Sequence, residues 1–364
     1  MNRPDIPTPA LLVDARAMER NIRRMAAFFS ERRCKLRPHF KAHKTPAIAR
    51  RQLAAGSCTG ITCATVSEAE VVAAENVSAD ILIANEVLGV GKAERVARLA
   101  ASVDIKVAAD SAMAVAELAE AARAAGVQIG VLVDVNVGLP RCGIAPGEPA
   151  LELARRVAST EGLRLRGVMG YEGHAVAIAD RKAREAAARH AMEQLLSAAQ
   201  MVREAGLSCD IVSAGGTGTY DLTGQMEGIT EIQAGSYVLM DTAYAKLDIP
   251  FELAFSILGT VLSRPSPTIC VTDSGHKACT EDHGNPSVKG IEGASVLLLS
   301  DEHATIMLPP ESRIAPGDRI ELWPSHIDPT INLHDVLFVL DGDEVTDTWP
   351  IIARGYPEQR ALRR

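Results

Sequence analysis

One short segment of the sequence concentrates cationic and titratable side chains directly after an apolar run. Residues 37–44 read Arg-Pro-His-Phe-Lys-Ala-His-Lys. A lysine that is desolvated among positive charges has a lowered pKa, and its neutral amine can form a Schiff base with an aldehyde. The segment is therefore a candidate site of covalent chemistry. The alternative interpretation is a basic strand end that nearby carboxylates neutralise.

Two later segments combine glycines with hydroxyl side chains. Residues 213–220 read Ser-Ala-Gly-Gly-Thr-Gly-Thr-Tyr, and residues 233–237 read Gln-Ala-Gly-Ser-Tyr. Glycines let backbone N–H groups approach an anion closely, and hydroxyls add further donors. Each loop alone is weak evidence, because a glycine-rich turn usually serves only to turn the chain. Together they favour a ligand that carries a phosphate.

A histidine and an aspartate lie two residues apart in Pro324-Ser325-His326-Ile327-Asp328-Pro329. If this segment is an extended strand, residues i and i+2 point to the same face, and His326 and Asp328 can bind one divalent ion. Two protein ligands leave positions open for water and substrate, which is the pattern of a catalytic metal site. The alternative is a pair of ordinary polar surface residues.

The elements that must position these residues follow a regular rhythm. Eight apolar runs, separated by amphipathic Ala/Glu/Arg-rich segments, begin near residues 35, 61, 81, 105, 129, 165, 211 and 231. Eight strand-helix repeats predict a TIM-type (β/α)8 barrel of the α/β class, in which catalytic residues follow the strands and phosphates bind after strands seven and eight. An open doubly wound sheet is the runner-up, but the expected G-x-G-x-x-G fingerprint is missing after the first strand.

The residue pattern of the sequence changes after about Leu247. β-Branched runs interrupted by Pro, Gly and Asp replace the helical periodicity, which predicts a second, mainly antiparallel β domain. We therefore predict domain limits of 8–247 and 248–364. The strand expected within the first fourteen residues, over Thr8–Asp14, can join either domain.

Composition narrows the class of partner. The 364 residues are 47% hydrophobic and 23% charged, with a net charge of -8, which favours a small-molecule substrate over nucleic acid or an anionic membrane. The seven cysteines are scattered and never in C-x-x-C spacing, which predicts reduced thiols rather than disulfides or structural zinc. We find no apolar run long enough to span a bilayer and no signal peptide, so we expect a cytoplasmic protein.

Four segments together resemble one enzyme family. They are residues 37–44, the run Asp-Val-Asn-Val-Gly-Leu-Pro-Arg-Cys-Gly at 134–143, Gly-Gly-Thr at 215–217, and Pro-Ser-His-Ile-Asp-Pro-Thr at 324–330. In this order they resemble the D-threonine aldolase / D-serine dehydratase family, whose members are pyridoxal-phosphate enzymes of the alanine-racemase-like fold. The resemblance runs along nearly the whole chain, and its first and last motifs are fairly specific.

The resemblance implies roles for individual residues. Lys41 would form the Schiff base with pyridoxal 5'-phosphate, and His43 would be either a general base or a supporting polar residue. Arg141 would lie near the phenolic oxygen of the cofactor and Tyr171 near its ring. The phosphate would be held in the two glycine loops, by Gly216, Thr217, Gly235, Ser236 and Tyr237, with Ser236 where the family often has Asn. The divalent metal would bind His326 and Asp328, and the protein would form a homodimer.

Asp328 bears on the choice of reaction. Dehydratases of this family typically pair the metal-binding His with Cys, whereas the aldolases typically carry Asp. A hard carboxylate suits Mn²⁺ or Mg²⁺ better than Zn²⁺, which stays possible. We therefore favour retro-aldol cleavage of a D-threonine-like 3-hydroxy-D-amino acid to glycine and an aldehyde.

Three alternatives stay open at this point. One is a D-serine or 3-hydroxy-D-aspartate dehydratase. Another is a 3-hydroxy-D-aspartate aldolase, which would need a cation such as Lys277, Arg264 or Arg313 for the distal carboxylate. The third is a pyridoxal-phosphate carrier without turnover, although a carrier has no need for the β domain.

Overall fold

The computed structural model describes residues 1–356, and these residues form two compact units. The barrel unit comprises Met25–Lys41 and Ile48–Gly235, and the β unit comprises Met1–Arg24, Ala42–Ala47 and the chain from Ser236 onward. The chain therefore passes between the units several times. The predicted limits of 8–247 and 248–364 for the folding domains stay a prediction, and residues 357–364 lie outside the described part.

Helices and strands are numbered along the chain. The helices are α1 (Ala15–Ser30), α2 (Pro46–Ala54), α3 (Val66–Ala74), α4 (Lys92–Ala100), α5 (Ala112–Ala125), α6 (Glu148–Ser159), α7 (Arg181–Glu204), α8 (Tyr220–Thr223) and α9 (Ile327–Ile331). The strands are β1 (Ala10–Asp14), β2 (Lys35–Leu36), β3 (Ile61–Cys63), β4 (Asp80–Glu86), β5 (Asp104–Ala109), β6 (Ile129–Asp134), β7 (Leu163–Met169), β8 (Ile211–Ala214), β9 (Glu231–Ile232), β10 (Phe255–Ser266), β11 (Ile269–Thr272), β12 (Ser287–Val288), β13 (Ser295–Leu299), β14 (Ala304–Met307), β15 (Arg319–Trp323), β16 (Val336–Asp341) and β17 (Glu344–Pro350).

The barrel unit contains one parallel sheet of eight strands, in the order β2-β9-β8-β7-β6-β5-β4-β3. Isolated parallel bridges from Leu36 to Cys58 and from His39 to Thr62 connect the two ends of this order. Helices alternate with the strands along the chain. The prediction of a TIM-type barrel is confirmed, and the open doubly wound sheet is excluded.

Side-chain caps define where several barrel helices begin. Thr65 accepts a hydrogen bond from the backbone N–H of Glu68 before α3, and Ser111 does the same for Ala114 before α5. Such caps satisfy backbone donors that have no partner within the helix. They explain why these helices start where the preceding strand and its loop end.

Charged side chains lie in the interior of the barrel unit. Arg37 is 1% exposed and donates to Glu231 at 2.8 Å and to Asp80 at 2.5 Å. Lys106, which is fully buried, lies 2.9 Å from Asp80 and 2.7 Å from Asp104. Because these carboxylates neutralise Arg37, the alternative interpretation of the cationic segment, a basic strand end with carboxylate partners, is correct for that residue.

The β unit is built around one mainly antiparallel sheet, and this prediction is also confirmed. The sheet order is β13-β14-β11-β10-β1-β16-β17, with β15 on β10 and β12 on β15. β1 is an interior strand that pairs antiparallel with β10 and parallel with β16. Across the described residues, every helix is too short or too polar to cross a membrane.

Candidate active site

The segment that leads to Lys41 runs along the end of β9. The N–H of Arg37 donates to the carbonyl of Ile232, and the N–H of His39 donates to that of Ala234. The carboxyl ends of parallel strands lie at one edge of a barrel, so Lys41 and Gly235 follow neighbouring strands at the same edge. Lys41 itself is half-buried in a short 3-10 helix.

The glycine loop after β8 lies next in this arc. The N–H of Gln233 donates to the carbonyl of Ala214, which joins the ends of β8 and β9. A Cβ on Gly216 would lie 3.3 Å from the Tyr171 ring, and one on Gly218 would lie 1.9 Å from the carbonyl oxygen of Val176. The loop therefore excludes a side chain at Gly218 and leaves little room for one at Gly216, so its backbone forms a tight cradle of the kind that suits a phosphate.

Tyr171 and Arg141 come together in the barrel unit. The Arg141 guanidinium carbon lies 5.6 Å from the centre of the Tyr171 ring, at cation–π range. Arg141 is exposed and Tyr171 is half-buried, so both can be reached by a ligand. His174 is exposed and its ring faces Gly138, so it is not a core histidine.

A cluster of acidic groups near Arg141 was missed from the sequence. It consists of Glu86 at the end of β4, Asp110 after β5, Asp134 at the end of β6, and Cys142. Ligand atoms of Glu86, Asp110 and Cys142 lie within 4.8 Å of one another. Burial, followed by a hydrogen bond and the charge of Glu86, raises the pKa of Asp134 to about 8. The raised pKa favours the protonated form of Asp134 at neutral pH, with Glu86 as its hydrogen-bond partner.

Three predicted residues belong to the β unit. His43 is fully buried, and its Nδ1 accepts from the N–H of Thr45 at 3.1 Å. In the neutral ring this bond puts the proton on Nε2, which favours the supporting role of His43 over that of a base. Tyr237 is fully buried and packs against Phe251, with ring centres 5.5 Å apart, whereas Ser236 is half-buried.

The pair predicted to bind a metal, His326 and Asp328, is not in a strand, so the geometric reason for predicting it was wrong. β15 ends at Trp323, His326 precedes α9 with an extended backbone, and Asp328 lies in the first turn of that helix. His326 Nε2 and Asp328 Oδ2 are nevertheless 3.8 Å apart. Two ligand atoms on one metal ion at about 2.1 Å each can be up to about 4.2 Å apart, so the pair fits a shared divalent ion.

Asp282 and His283 complete this cluster and were also missed. Asp282 Oδ2 lies 2.5 Å from His326 Nδ1, and the ring of His283 stacks on that of His326 at 4.1 Å. Two atoms only 2.5 Å apart form a hydrogen bond rather than share a metal. Burial would raise the pKa of Asp282, but the hydrogen bond and charge of His326 outweigh it and lower that pKa. The sequence signal was the run of titratable residues at 281–283.

A buried carboxylate, that of Asp241, supports the same segment. Asp241 accepts from the N–H of Tyr244 at 3.0 Å and from the N–H of Ile327 at 3.3 Å. Burial raises its pKa to about 6, against the lowering effect of the backbone donor of Tyr244 and the charge of His326. Asp241 thus holds the start of α9 in place beside His326.

The cations considered for a distal substrate carboxylate are largely engaged elsewhere. Arg264 donates to the carbonyls of Ile314, Pro267 and Ser312. Lys277 pairs with Glu302. Arg313 is exposed. None of these contacts favours a 3-hydroxy-D-aspartate substrate.

Comparison with known proteins matches both parts of the chain. Residues 13–243 match the alanine racemase N-terminal domain, and residues 254–340 match a putative serine dehydratase domain. D-threonine aldolase of an Arthrobacter species is 38% identical over 96% of this chain and 93% of its own. 3-Hydroxy-D-aspartate aldolase of Paracoccus denitrificans is 33% identical over 98% of this chain and 94% of its own. The crystal structure of D-threonine aldolase from Filomicrobium marinum has a TM-score of 0.94 at 38% identity, covering 97% of each chain.

The fold and the site thus define a lyase with the alanine-racemase-like architecture. The chain belongs to the D-threonine aldolase / D-serine dehydratase family. Membership implies pyridoxal phosphate and a divalent metal as cofactors and a small-molecule substrate. It also excludes the carrier without turnover, because the match extends through the second domain to residue 340.

Proposed function

We propose that this protein cleaves a D-threonine-like 3-hydroxy-D-amino acid to glycine and an aldehyde. The observation that carries this proposal is Asp328, a hard carboxylate whose Oδ2 lies 3.8 Å from Nε2 of His326. A carboxylate and an imidazole suit Mn²⁺ or Mg²⁺, and Zn²⁺ is the remaining candidate. In the dehydratases of this family a cysteine typically takes the place of the aspartate.

The barrel residues would bind the cofactor. Pyridoxal phosphate, when bound, accepts the electron pair released as a bond at Cα breaks. Lys41 would hold it through its amine. The backbone of Thr217 would hold its phosphate together with Gly235 and Ser236, and Gly216 would let the phosphate approach because it has no side chain. The Arg141 guanidinium carries donors and no acceptor, so it would donate a hydrogen bond to the ring oxygen and favour the ionised form of that oxygen. Tyr171 would limit the position of the ring from the side of the β8 loop.

The β unit would handle the hydroxyl group. His326 and Asp328 would hold a divalent ion, which would supply Lewis-acid chemistry that lowers the pKa of the substrate's β-hydroxyl. Asp282 accepts from Nδ1 of His326 and so leaves the lone pair of Nε2 to face the ion. His43, with its Nδ1 occupied by Thr45, would be a donor near neutral pH, and the base for the hydroxyl stays unassigned.

A product assay tests the proposal. The purified protein, incubated with pyridoxal phosphate, receives D-threonine, D-serine or 3-hydroxy-D-aspartate, with and without Mn²⁺. We expect glycine and acetaldehyde from D-threonine only when metal is present. Ammonia and a keto acid would instead identify a dehydratase. Glycine formed mainly from 3-hydroxy-D-aspartate would identify that acid as the preferred substrate.

The metal ligand can be tested by exchange. Asp328→Cys introduces the soft ligand, and we expect the preference to move from Mn²⁺ towards Zn²⁺ while the product stays glycine. Asp328→Ala serves as the control that removes the ligand. A change of product to a keto acid in the Cys variant would show that this residue selects the reaction as well as the metal.

We also propose a homodimer in the cytoplasm. Leu262, Leu298 and Met307 are exposed on strands of one sheet of the β unit, and exposed apolar side chains of this size commonly mark an interface. All seven cysteines are free, as expected in a reducing compartment. Light scattering should give about twice the 38.7 kDa of the chain, and cell fractionation tests the location.

A further inference from the structure

Glu172, in the loop after β7, is a fully buried carboxylate surrounded by neutral donors. Its Oε2 accepts from the N–H of Gly215 at 3.1 Å. Its Oε1 accepts from the hydroxyls of Thr219 at 2.7 Å and Thr223 at 2.6 Å. These partners are 43 to 51 residues away in sequence, so the carboxylate joins the loop after β7 to the loop after β8 and to α8.

The hydrogen bonds continue from Glu172 into the glycine loop. The hydroxyl of Thr219, which donates to Glu172, accepts in turn from the N–H of Gly216 at 3.3 Å. The first two N–H groups of the loop, those of Gly215 and Gly216, are thereby directed inward. The backbone beyond them, at Thr217 and Gly218, is then the part of the loop that can face an anion.

We propose that Glu172 is the positioning residue that shapes this loop to receive the phosphate of the cofactor. Burying a carboxylate is costly, and three donors compensate it only if the loop keeps one conformation. Gly215 adopts a φ of +76° and packs its Cα against Ile232, where a Cβ would lie 2.7 Å from the Ile232 side chain. The contact of Gly215 with Ile232 therefore fixes where the loop begins. The hydrogen bonds of Glu172 fix the following residues, from Gly216 to Thr219.

This inference rests on the proposed binding of pyridoxal phosphate, and pyridoxal, which lacks the phosphate, separates the two. Glu172→Gln keeps the size of the side chain but places an NH₂ group among donors. We expect the variant to bind pyridoxal phosphate about 10- to 100-fold more weakly, because one buried donor loses its acceptor, and to bind pyridoxal within about twofold of wild type. Both dissociation constants are read from the absorbance change on titration.

Thr219→Val and Thr223→Val are matched variants. Thr219 connects Glu172 to Gly216, so its loss should reduce the preference for the phosphorylated ligand. Thr223 donates to Glu172 from α8, one step further from the loop, so its loss should reduce that preference less. If circular dichroism shows that Glu172→Gln does not fold, the affinities of Thr219→Val for the two ligands test the proposal instead. Glu204→Gln, an exposed change at the end of α7, should alter neither constant.

The outcomes are distinguishable. Wild-type protein without preference for pyridoxal phosphate over pyridoxal would refute the proposed phosphate site itself. Wild-type preference that Glu172→Gln and Thr219→Val retain in full would refute the role of Glu172 alone. If Glu172→Gln lost affinity equally for pyridoxal phosphate and pyridoxal, Glu172 would support this edge of the barrel in general. This result too would overturn the proposal.

Discussion

At His326, the ring nitrogen Nδ1 is hydrogen-bonded to Asp282, and this bond would decide which nitrogen faces the proposed metal. A histidine offers Nδ1 or Nε2 as a ligand, and the hydrogen bond on one nitrogen sets the lone pair on the other. With Asp282 Oδ2 at 2.5 Å from Nδ1, the nitrogen that would bind the proposed metal is Nε2, which lies 3.8 Å from Asp328 Oδ2. The contact thus acts on metal binding although Asp282 is not itself a ligand.

Loss of the Asp282 carboxylate should weaken metal binding. We expect Asp282→Asn to bind Mn²⁺ about 10- to 100-fold more weakly, because the neutral amide orients the ring less firmly and leaves it less basic. Calorimetric titration of the substrate-free protein measures this. Asp301→Asn, an exposed change in the same unit, is the control. Equal affinities of the two variants would rule out the orienting role.

The raised pKa of Asp134 makes stability depend on pH. An aspartate in the unfolded chain releases its proton near pH 3.8, whereas folded Asp134 holds it to about pH 8. Between these values the unfolded chain gains the free energy of ionisation, so this group's contribution to stability falls as pH rises from about 4 to about 8. Below pH 4 both states are protonated and the contribution is fully present.

A neutral isostere should remove this dependence. Asp134→Asn stays uncharged at every pH, so we expect its free energy of unfolding to exceed that of wild type at pH 8 by about 1–3 kcal/mol and to match it at pH 4. Urea denaturation at both pH values gives the two differences. Asp210→Asn, at an exposed position, should show neither. A gain that is the same at both pH values would contradict the raised pKa of Asp134.

At the scale of helices and strands, the sequence predicted most of the fold. Each of the eight barrel strands begins within two residues of an apolar run, because buried parallel strands must be apolar and the helices between them amphipathic. Arg141 followed only from the family resemblance, whereas the ends of those strands pointed to Lys41 and the two glycine loops. Local pattern and barrel geometry were sufficient for these residues.

The rest depended on contacts that the local pattern does not contain. The strand assumed at residues 324–329 was wrong because Pro324 cannot continue the ladder, whereas Pro329 is tolerated in the first turn of a helix. Asp282 and His326 are 44 residues apart, and Glu172 reaches partners across another loop. Such pairs arise from tertiary packing, so a single sequence does not reveal them.

The close approach of β7 and β8 gives a prediction at this scale. Gly167 has a φ of +145°, and a Cβ there would lie 1.9 Å from the carbonyl oxygen of Ile211. Gly126, which ends α5 at φ +64°, has open space around it. We expect Gly126→Ala to cost about 1 kcal/mol from backbone strain alone, and Gly167→Ala to cost several times more because strand pairing is lost. Chemical denaturation of both variants measures the difference, and equal costs would contradict it.

For the whole molecule, the β unit is built from separate stretches of the chain, and this makes a prediction about fragments. Residues 248–364 lack β1, the interior strand that joins β10 to β16. A sheet interrupted in this way exposes two unpaired edges, which favours aggregation. We expect the fragment 248–364 to show no cooperative unfolding by circular dichroism, whereas the full chain does. Cooperative unfolding of the fragment would instead support the limits predicted from the sequence.

The interior position of β1 also sets an order of events during synthesis. The ribosome makes β1 (Ala10–Asp14) before both of its partners, because β10 begins at Phe255 and β16 at Val336. The nascent strand therefore waits, unpaired, while the entire barrel emerges. A chain that ends before Val336 would leave β1 paired with β10 but without β16 on its other side. Chaperones and proteases readily recognise such an exposed apolar strand.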